Sequence, residues 1–512
     1  MILITSAAYI SPGLISEFGK LPPAMLPVKN KRLYEHQLAL FPNEHIKVLS
    51  LPVSYTLTEY DAKRLDELTV KVIHVPDNLT LGESVVYVLN VLSQYSEHLK
   101  ILHGDTLFSK LPEERDGYTV STSDIDYAWS KTDNDLEVLT GYFAFSNQSL
   151  LIQKITEKGY RFIDGVKAYG EDLSLKKIPS PDWLDFGLVN SYYRSISKMT
   201  TQRAFNNLLV DRYSLTKSSK EVRKILAEAN WLKSLPNEMK HYAPAIWESG
   251  EKDGFAYYTI EYYYLSSLAN LFVFGKNPDF VWKDIINACI EYINDEAKYI
   301  PEHAEEIAIG NDDLYAPKTK LRLDKYAAQT GLDLSHEWVL NGIKVPSLEQ
   351  IIEETNALIT KKEIKFVCLM HGDFCFSNIL YDFKSMSIRV IDPRGIDSKG
   401  NNSIYGDLRY DVAKLAHSVL GMYDFIIGGM FQYEQKEEYD ITFGFEKNDL
   451  LASIQAYFNT QSFAGYTLEQ LSTYPILIHL FLSMLPLHND NPARQKAFLA
   501  NALRLYIQFK NL

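Results

Sequence analysis

The sequence predicts an α/β protein in two parts, a mostly parallel, doubly wound N-terminal domain followed by an α+β C-terminal domain. Three observations predict it. Across residues 2–103 strand-like and helix-like segments alternate, the pattern of a parallel sheet with crossover helices. From residue 205 the order changes to two short strands, a helix and another strand. Beyond residue 281 helical patterns dominate, broken at 365–391 by a strand, a polar loop and a hairpin.

In the first part, Ile2 to Ala7 reads as an apolar strand, Lys31 to Leu40 as a helix and His45 to Leu51 as a strand. Glu59 to Leu68 is a helix, Val70 to Val75 a strand, Leu81 to Ser93 a helix and Leu99 to His103 a strand. In open sheets of this kind ligands sit at the carboxyl ends of the strands. Gly104-Asp105-Thr106 falls at such an end, where Asp105 is well placed to hold a metal bound to phosphates.

No long Gly, Pro or Ser-rich linker follows, so the boundary is set near residue 200, giving domains 1–200 and 201–512. Phe205 to Val210 and Arg212 to Lys217 read as strands, Val222 to Leu235 as a helix and Phe255 to Tyr263 as a strand. Helical patterns cover Val281 to Ile293, Lys318 to Thr330 and Ser347 to Thr360, and the tail from Asn448 to Leu512 is helix-rich. Lys365 to Met370 reads as a strand. Ile379 to Asp382 and Ser387 to Ile391 flank Phe383-Lys384-Ser385-Met386 as a hairpin, which brings Asn378 and Asp392 side by side.

Composition narrows the function classes. The net charge of −13 over 512 residues argues against broad attraction to nucleic acid or anionic membrane, so anionic ligands need local cations, metal or backbone N–H groups. The three cysteines fit neither a zinc site nor a disulfide framework, which points to a reducing, cytoplasmic compartment. Met1-Ile2-Leu3-Ile4-Thr5 has no basic lead-in and reads as a strand rather than a signal peptide. Tyr474 to Leu487, interrupted by His479 and Ser483, is too short to span a bilayer and reads as a buried helix. The 34 tyrosines are expected in a packed core and on the surface. Oligomeric state stays open.

The chemistry-bearing pattern is His371-Gly372-Asp373-Phe374-Cys375-Phe376-Ser377-Asn378, followed by Ile391-Asp392-Pro393-Arg394-Gly395. Asp373 stands five residues before Asn378, and Asp392 fourteen residues after it. Phosphoryl transfer needs one carboxylate to orient the attacking hydroxyl, and an amide with a second carboxylate to hold Mg²⁺ on ATP. The segment resembles the catalytic loop of the aminoglycoside phosphotransferase and choline kinase group, small-molecule kinases of protein-kinase-like fold. That resemblance implies Asp373 as catalytic base, Asn378 and Asp392 as Mg²⁺ ligands and ATP as donor. A kinase also needs a Lys on a strand and a Glu on the next helix. Lys217 and Glu228 are the candidates, with Lys220 and Glu221 as close competitors. Phe255 to Tyr263 looks like the strand leading into the kinase hinge, with Glu261 beside the adenine. Tyr405 to Leu415 resembles the family's helix start, in which Asp411 braces the catalytic loop. Lys318 and Arg322 share a helix face; a solvated face is the favoured reading and binding of an anionic acceptor the other.

A second resemblance lies in the first part. Phe18-Gly19-Lys20-Leu21-Pro22-Pro23-Ala24-Met25-Leu26-Pro27-Val28 looks like the Pro-Lys-x-Leu/Met-Leu-Pro-Val segment of sugar-phosphate nucleotidylyltransferases. His103-Gly104-Asp105-Thr106 is similar to their Asn-Gly-Asp metal site, Gly141 to Phe145 to their Gly-Ile-Tyr-x-Phe strand, and Trp183-Leu184-Asp185-Phe186-Gly187 to their Trp-x-Asp-x-Gly. The resemblance implies a Rossmann-like fold, Mg²⁺ on Asp105 and Asp185, and a second NTP as substrate. Two departures stand against it. Residues 7–20 lack the family's Gly-rich core and Arg, and the family's Lys falls on Pro23, leaving Lys20 or Lys29 to compensate.

Together the resemblances imply a bifunctional enzyme. It would phosphorylate a hydroxyl of a small acceptor, a sugar or amino alcohol, and then join the phosphorylated product to a nucleotide for capsule or surface polysaccharide assembly. Two alternatives stay open: a kinase whose first domain only binds or regulates, and a non-catalytic scaffold.

Overall fold

The computed structural model describes residues 1–93, 98–122, 137–199, 206–359, 361–397 and 399–511. The chain divides into two compact units, Met1–Met199 with Phe274–Asn277, and Thr200–Val273 with Pro278–Leu512.

The first unit is built on a seven-stranded sheet. From edge to edge it runs Val70–Val75, Lys47–Pro52, Ile2–Thr5, Leu99–His103, Glu137–Phe145, Gly117–Thr122 and Lys176–Pro179. Glu137–Phe145 is antiparallel to both neighbours, and every other pair is parallel. The alternating elements therefore form the expected largely parallel α/β sheet. Local signals fix the helix starts. Thr80 and Glu83 form a reciprocal capping box at Leu81–Leu92, and Thr58 caps Glu59–Glu67. Leu3, Val48, Ile101 and Phe143 from the strands pack with Val85 and Leu89 from the helix, which removes their apolar surface from water.

Lys31 to Leu40 departs from the all-helix expectation. Pro27–Val28 and Lys31–Arg32 pair as a small hairpin, and helix begins only at Leu33. Lys29 and Asn30 turn it with positive φ, a conformation that Asn tolerates and Lys rarely adopts.

The second unit opens with a four-stranded antiparallel sheet in the order Asn206–Val210, Ser214–Ser219, Phe255–Glu261 and Ile246–Lys252. The helix Val222–Ser234 packs on it. Phe205, expected to start the first strand, lies outside the described residues. The rest is mainly helical. Thr473–Met484 is buried at every position, so the apolar run read from the sequence is a core helix. Among the described residues no helix is long and apolar enough to cross a membrane.

One sheet escaped the sequence reading. Ile343–Val345, Trp338–Leu340, Asp440–Gly444 and Gln432–Glu437 form a four-stranded sheet, whose first two strands fall between the expected helices Lys318 to Thr330 and Ser347 to Thr360. The signal was present: Asn341-Gly342, both at positive φ, is the favoured two-residue hairpin turn. Asn341 also binds the Phe443 backbone through both ends of its amide.

Candidate functional site

In the second unit the polar loop follows the strand Val367–Leu369, which pairs with Tyr405–Asp407. The hairpin Ile379–Asp382 with Ser387–Val390 forms in the expected register, and the Ile391 N–H donates to the Asn378 carbonyl at 3.0 Å. Asn378 and Asp392 are thus held on adjacent strand ends. The Asn378 amide donates to Asp373 Oδ2 at 2.9 Å and to the Asp373 carbonyl at 3.0 Å.

Asp411 braces this loop as expected. Its carboxylate accepts the backbone N–H groups of His371 at 2.6 Å and Gly372 at 2.9 Å. Burial still pushes its carboxyl up to about 7. The His371 Nε2 lies 3.0 Å from the Ile391 carbonyl, and the Trp231 indole donates to the Met370 carbonyl at 2.8 Å. The loop is therefore tied on three sides by buried groups, which is what a precisely aimed carboxylate requires.

Lys217 is the strand Lys. Its Nζ lies 2.7 Å from Glu228 Oε2 and 3.0 Å from Asp392 Oδ1. The structure brings Lys217 and Glu228 together, whereas the Lys220 ammonium lies 5.5 Å from the centre of the Phe255 ring. Burial acts to lower the Lys217 ammonium, but the Asp392 and Glu228 carboxylates outweigh it and raise its affinity for the proton. Tyr258 donates to the same Glu228 oxygen at 2.9 Å. Asp392 has φ of +56°, and Gly395 just beyond has φ of +65°. A Cβ on Gly395 would stand 2.3 Å from the Ala227 carbonyl, so the loop lies directly against the helix that carries Glu228.

Lys414 lies within the Tyr405 to Leu415 segment, three residues after Asp411. Its Nζ binds Asp373 Oδ1 at 2.8 Å. Burial pushes the Asp373 carboxyl upward, yet Lys414 outweighs it and holds Asp373 below the usual carboxylate range. Its position one turn after Tyr410 on Leu408–Val419 carries no local signature of this contact, which only the tertiary fold creates.

Glu261 ends its strand with an exposed side chain. Its backbone N–H already donates to the Ala245 carbonyl at 2.9 Å, and the Tyr262 N–H to Tyr213. Lys318 and Arg322 are half-buried rather than solvated: Lys318 Nζ lies 3.4 Å from the Tyr410 hydroxyl, and Arg322 donates to the Ser483 carbonyl at 3.2 Å. That corrects the favoured sequence reading. The face that carries them turns inward because Thr319, between them, is buried against the His479 carbonyl.

In the first unit Asp105 follows the strand Leu99–His103, and two-residue strands pair Thr106 with Asp185. The two carboxylates converge on Gly187, where a Cβ would lie 2.9 Å from Asp105 Oδ2 and 3.3 Å from Asp185 Oδ1. The Gly187 N–H donates to Asp185 Oδ1 at 2.9 Å. Burial, and then the Asp185 charge, push the Asp105 carboxyl up to about 7. A small cavity of about 100 Å³ opens here, lined by His103, Asp105, Thr140, Trp183, Asp185 and Gly187. Two repelling carboxylates on one cavity suit a cation. Among the described residues no three His, Cys, Asp or Glu side chains are placed to hold one ion, although His103 lines the cavity, so phosphate oxygens or water would have to complete the coordination of a hard cation.

Lys20 is not among the residues lining this cavity. Its ammonium sits 4.1 Å above the Tyr9 ring on an exposed side chain. Residues 12–18 form a short helix where the resembled family has its phosphate loop.

No protein-family model and no curated protein matches the chain. Solved structures do. The inositol-1-phosphate CTP transferase from T. maritima is similar over 38% of this chain and 95% of its own, at 16% identity and a TM-score of 0.30. An aminoglycoside-3'-phosphotransferase of type VIII is similar over 54% of this chain and 93% of its own, at 14% identity and a TM-score of 0.31. The streptomycin-ATP-APH(2")-IIa ternary complex is similar over 63% of this chain and 96% of its own, at 12% identity and a TM-score of 0.35.

Proposed function

We propose that the chain is a bifunctional transferase: a small-molecule kinase in its second unit and a nucleotidylyltransferase in its first. The observation that carries the kinase reading is Lys217 bridging Glu228 and Asp392 while Asn378 binds Asp373. In this reading Asp373 orients the acceptor hydroxyl for in-line attack on the γ-phosphorus of ATP and accepts its proton; the new O–P bond forms as the bond from the γ-phosphorus to the bridging oxygen breaks, and ADP leaves. Lys217 neutralises the donor's phosphates, and Glu228 holds Lys217 in place. Asn378 and Asp392 would hold Mg²⁺, which supplies charge neutralisation on the phosphates when bound.

The Asp105 and Asp185 pair supports the second activity, in which the phosphorylated product attacks an NTP and pyrophosphate leaves. Those two residues would hold Mg²⁺ on the NTP. The product class, an activated sugar or amino-alcohol nucleotide, suits capsule or surface polysaccharide assembly in the cytoplasm.

One observation favours a second reading, a kinase carrying a first unit that only binds. The helix Pro12–Phe18 replaces the phosphate loop, and Lys20 lies on Tyr9 rather than in the cavity. The test is pyrophosphate release from each NTP with a panel of phosphorylated sugars and amino alcohols. Release that disappears in Asp105→Ala is expected. ATP consumption that needs Asp373, with no release from any NTP, would establish the second reading instead.

A further inference from the structure

Four cations gather around Tyr410, and among the described residues only Lys414, which reaches Asp373, has a carboxylate partner. Lys414 pairs with Asp373 at 2.8 Å. Tyr410, one turn before it on the same helix, connects it to the others: Lys318 Nζ is 3.4 Å from the Tyr410 hydroxyl, and the Arg394 guanidinium lies 5.8 Å from the centre of its ring. Arg322 stands one turn after Lys318 and donates only to a backbone carbonyl, that of Ser483. Among the described residues Lys318, Arg322 and Arg394 form no salt bridge. Burial lowers the Lys318 ammonium; Tyr410 opposes this, and Arg394, Arg322 and Lys414 add to it. The Tyr410 hydroxyl is shifted to the acid side although burial works the other way, because Lys318, Lys414 and Arg394 surround it.

Such a cluster is costly. Like charges in a half-buried site repel and lose hydration, and here they do so in a chain of net charge −13. Among the described residues no carboxylate pairs with Lys318, Arg322 or Arg394, and Tyr410 opposes the repulsion only in part, so a ligand's negative charge is the complement this cluster fits. Lys217 and the Asn378 and Asp392 pair already serve the donor's phosphates in the kinase reading. Lys318 and Arg322 come from a different element, the helix Ala316–Thr330.

We propose that the acceptor carries an oxyanion, a phosphate or a carboxylate, held by Lys318, Arg322 and Arg394 next to the hydroxyl that Asp373 orients. This rests on the kinase reading of the same site. A guanidinium binds such a group through two parallel N–H donors, and the Lys ammonium adds a point charge. Neutral or cationic acceptors would leave the cluster uncompensated.

The test is thermal denaturation of the full chain with saturating Mg²⁺ and AMP-PNP, to which inorganic phosphate, acetate or glucose is then added in the millimolar range. A ligand that binds only the folded state raises Tm. Phosphate or acetate should raise Tm beyond the nucleotide's own effect, and glucose should not; whichever anion acts names the oxyanion. In Lys318→Gln/Arg322→Gln the anion's apparent affinity should fall at least about tenfold. Lys318→Gln alone removes a charge from a repelling set and should fold at least as stably, which controls for damage by the double change. No anion effect, an equal effect in the double variant, or an effect that vanishes once AMP-PNP is bound would overturn the proposal. The AMP-PNP shift itself reports on the kinase reading. Its absence with the anion effect retained would sink that reading and leave an anion site, whereas its presence without any anion effect would sink the acceptor proposal alone.

Discussion

His103-Gly104-Asp105 and His371-Gly372-Asp373 are the same tripeptide in two settings. His103 ends its strand and His371 stands two residues beyond its own, and both histidines are buried and depressed by that burial to about 4. The aspartates then diverge. Burial, and then the facing carboxylate of Asp185, push Asp105 up to about 7. Asp373 faces Lys414 and is held below the ordinary range. The tripeptide does not fix even the backbone, since Gly372 has φ of +82° and Gly104 is not at positive φ; against the same burial, the partner that the fold brings to each carboxylate decides which way its charge behaviour goes. A carboxylate pair invites a cation, whereas a carboxylate pinned by Lys and Asn stays ionised and aimed.

The largest effects should come from exchanging the two losses. Asp373→Asn should cut ADP formation by roughly 10²-fold or more while leaving nucleotide-dependent pyrophosphate release from a supplied phosphorylated substrate intact. Asp105→Asn should do the reverse. Measuring both activities in both variants breaks the comparison if either variant loses both.

Next is the Lys217 bridge, which has no counterpart at Asp105 among the described residues. Lys217→Met should lower kcat/KM for ATP by roughly 10²-fold in a steady-state assay. Unchanged kinetics would remove Lys217 from donor binding.

A smaller effect is expected at Lys414. Lys414→Met leaves Asp373 without its cation, and the Asp373 side chain is 41% exposed, so water screens part of the loss. Urea denaturation should show a cost of about 1–2 kcal/mol. A variant as stable as wild type would mean that Asp373 does not need this cation to remain folded in place.

Comparing the two aspartates by pH requires knowing how the scaffold titrates. His479 is 2% exposed, its Nε2 is 3.0 Å from Thr355 Oγ1, and burial lowers it to about 4. Its folded pKa lies below the unfolded value of about 6.5, so the unfolded chain takes up the proton first. The stability it contributes is present above that value and is lost as pH falls toward 4. The loss should reach about 2–3 kcal/mol across that window. His479→Gln should flatten this part of a stability–pH profile, and an unaltered slope would assign the acid sensitivity to another group.

Much of the fold was legible because its signals are local. Val70–Val75 and Leu99–His103 match their sequence spans residue for residue, since each is a short stretch rich in Val, Ile or Leu. The catalytic-loop pattern was legible for the same reason: Asp373, Asn378 and Asp392 sit on one loop and one hairpin, so short-range spacing fixes their approach. Lys217 and Glu228 are eleven residues apart, close enough to nominate as a pair but not to separate from Lys220 and Glu221 without the fold. What stayed hidden depends on contacts distant in sequence. Lys414 meets Asp373 across a sheet and a hairpin, Lys318 meets Tyr410 across 92 residues, and Trp338–Leu340 finds Asp440–Gly444 only in three dimensions. Three-residue strands carry too little periodicity to announce themselves, although Asn341-Gly342 marked the turn.

Gly395 gives the site a genetic signature. It lies against the Ala227 carbonyl where no side chain fits, and the same turn of chain connects Asp392 to the helix of Glu228. An allele that adds a methyl group there would displace the loop or the helix, and with either the reach of Lys217. Such a missense change would mimic loss of Asp392 itself while leaving every charged residue encoded. In a screen for lost kinase function, codon 395 should therefore recur beside codons 373 and 392.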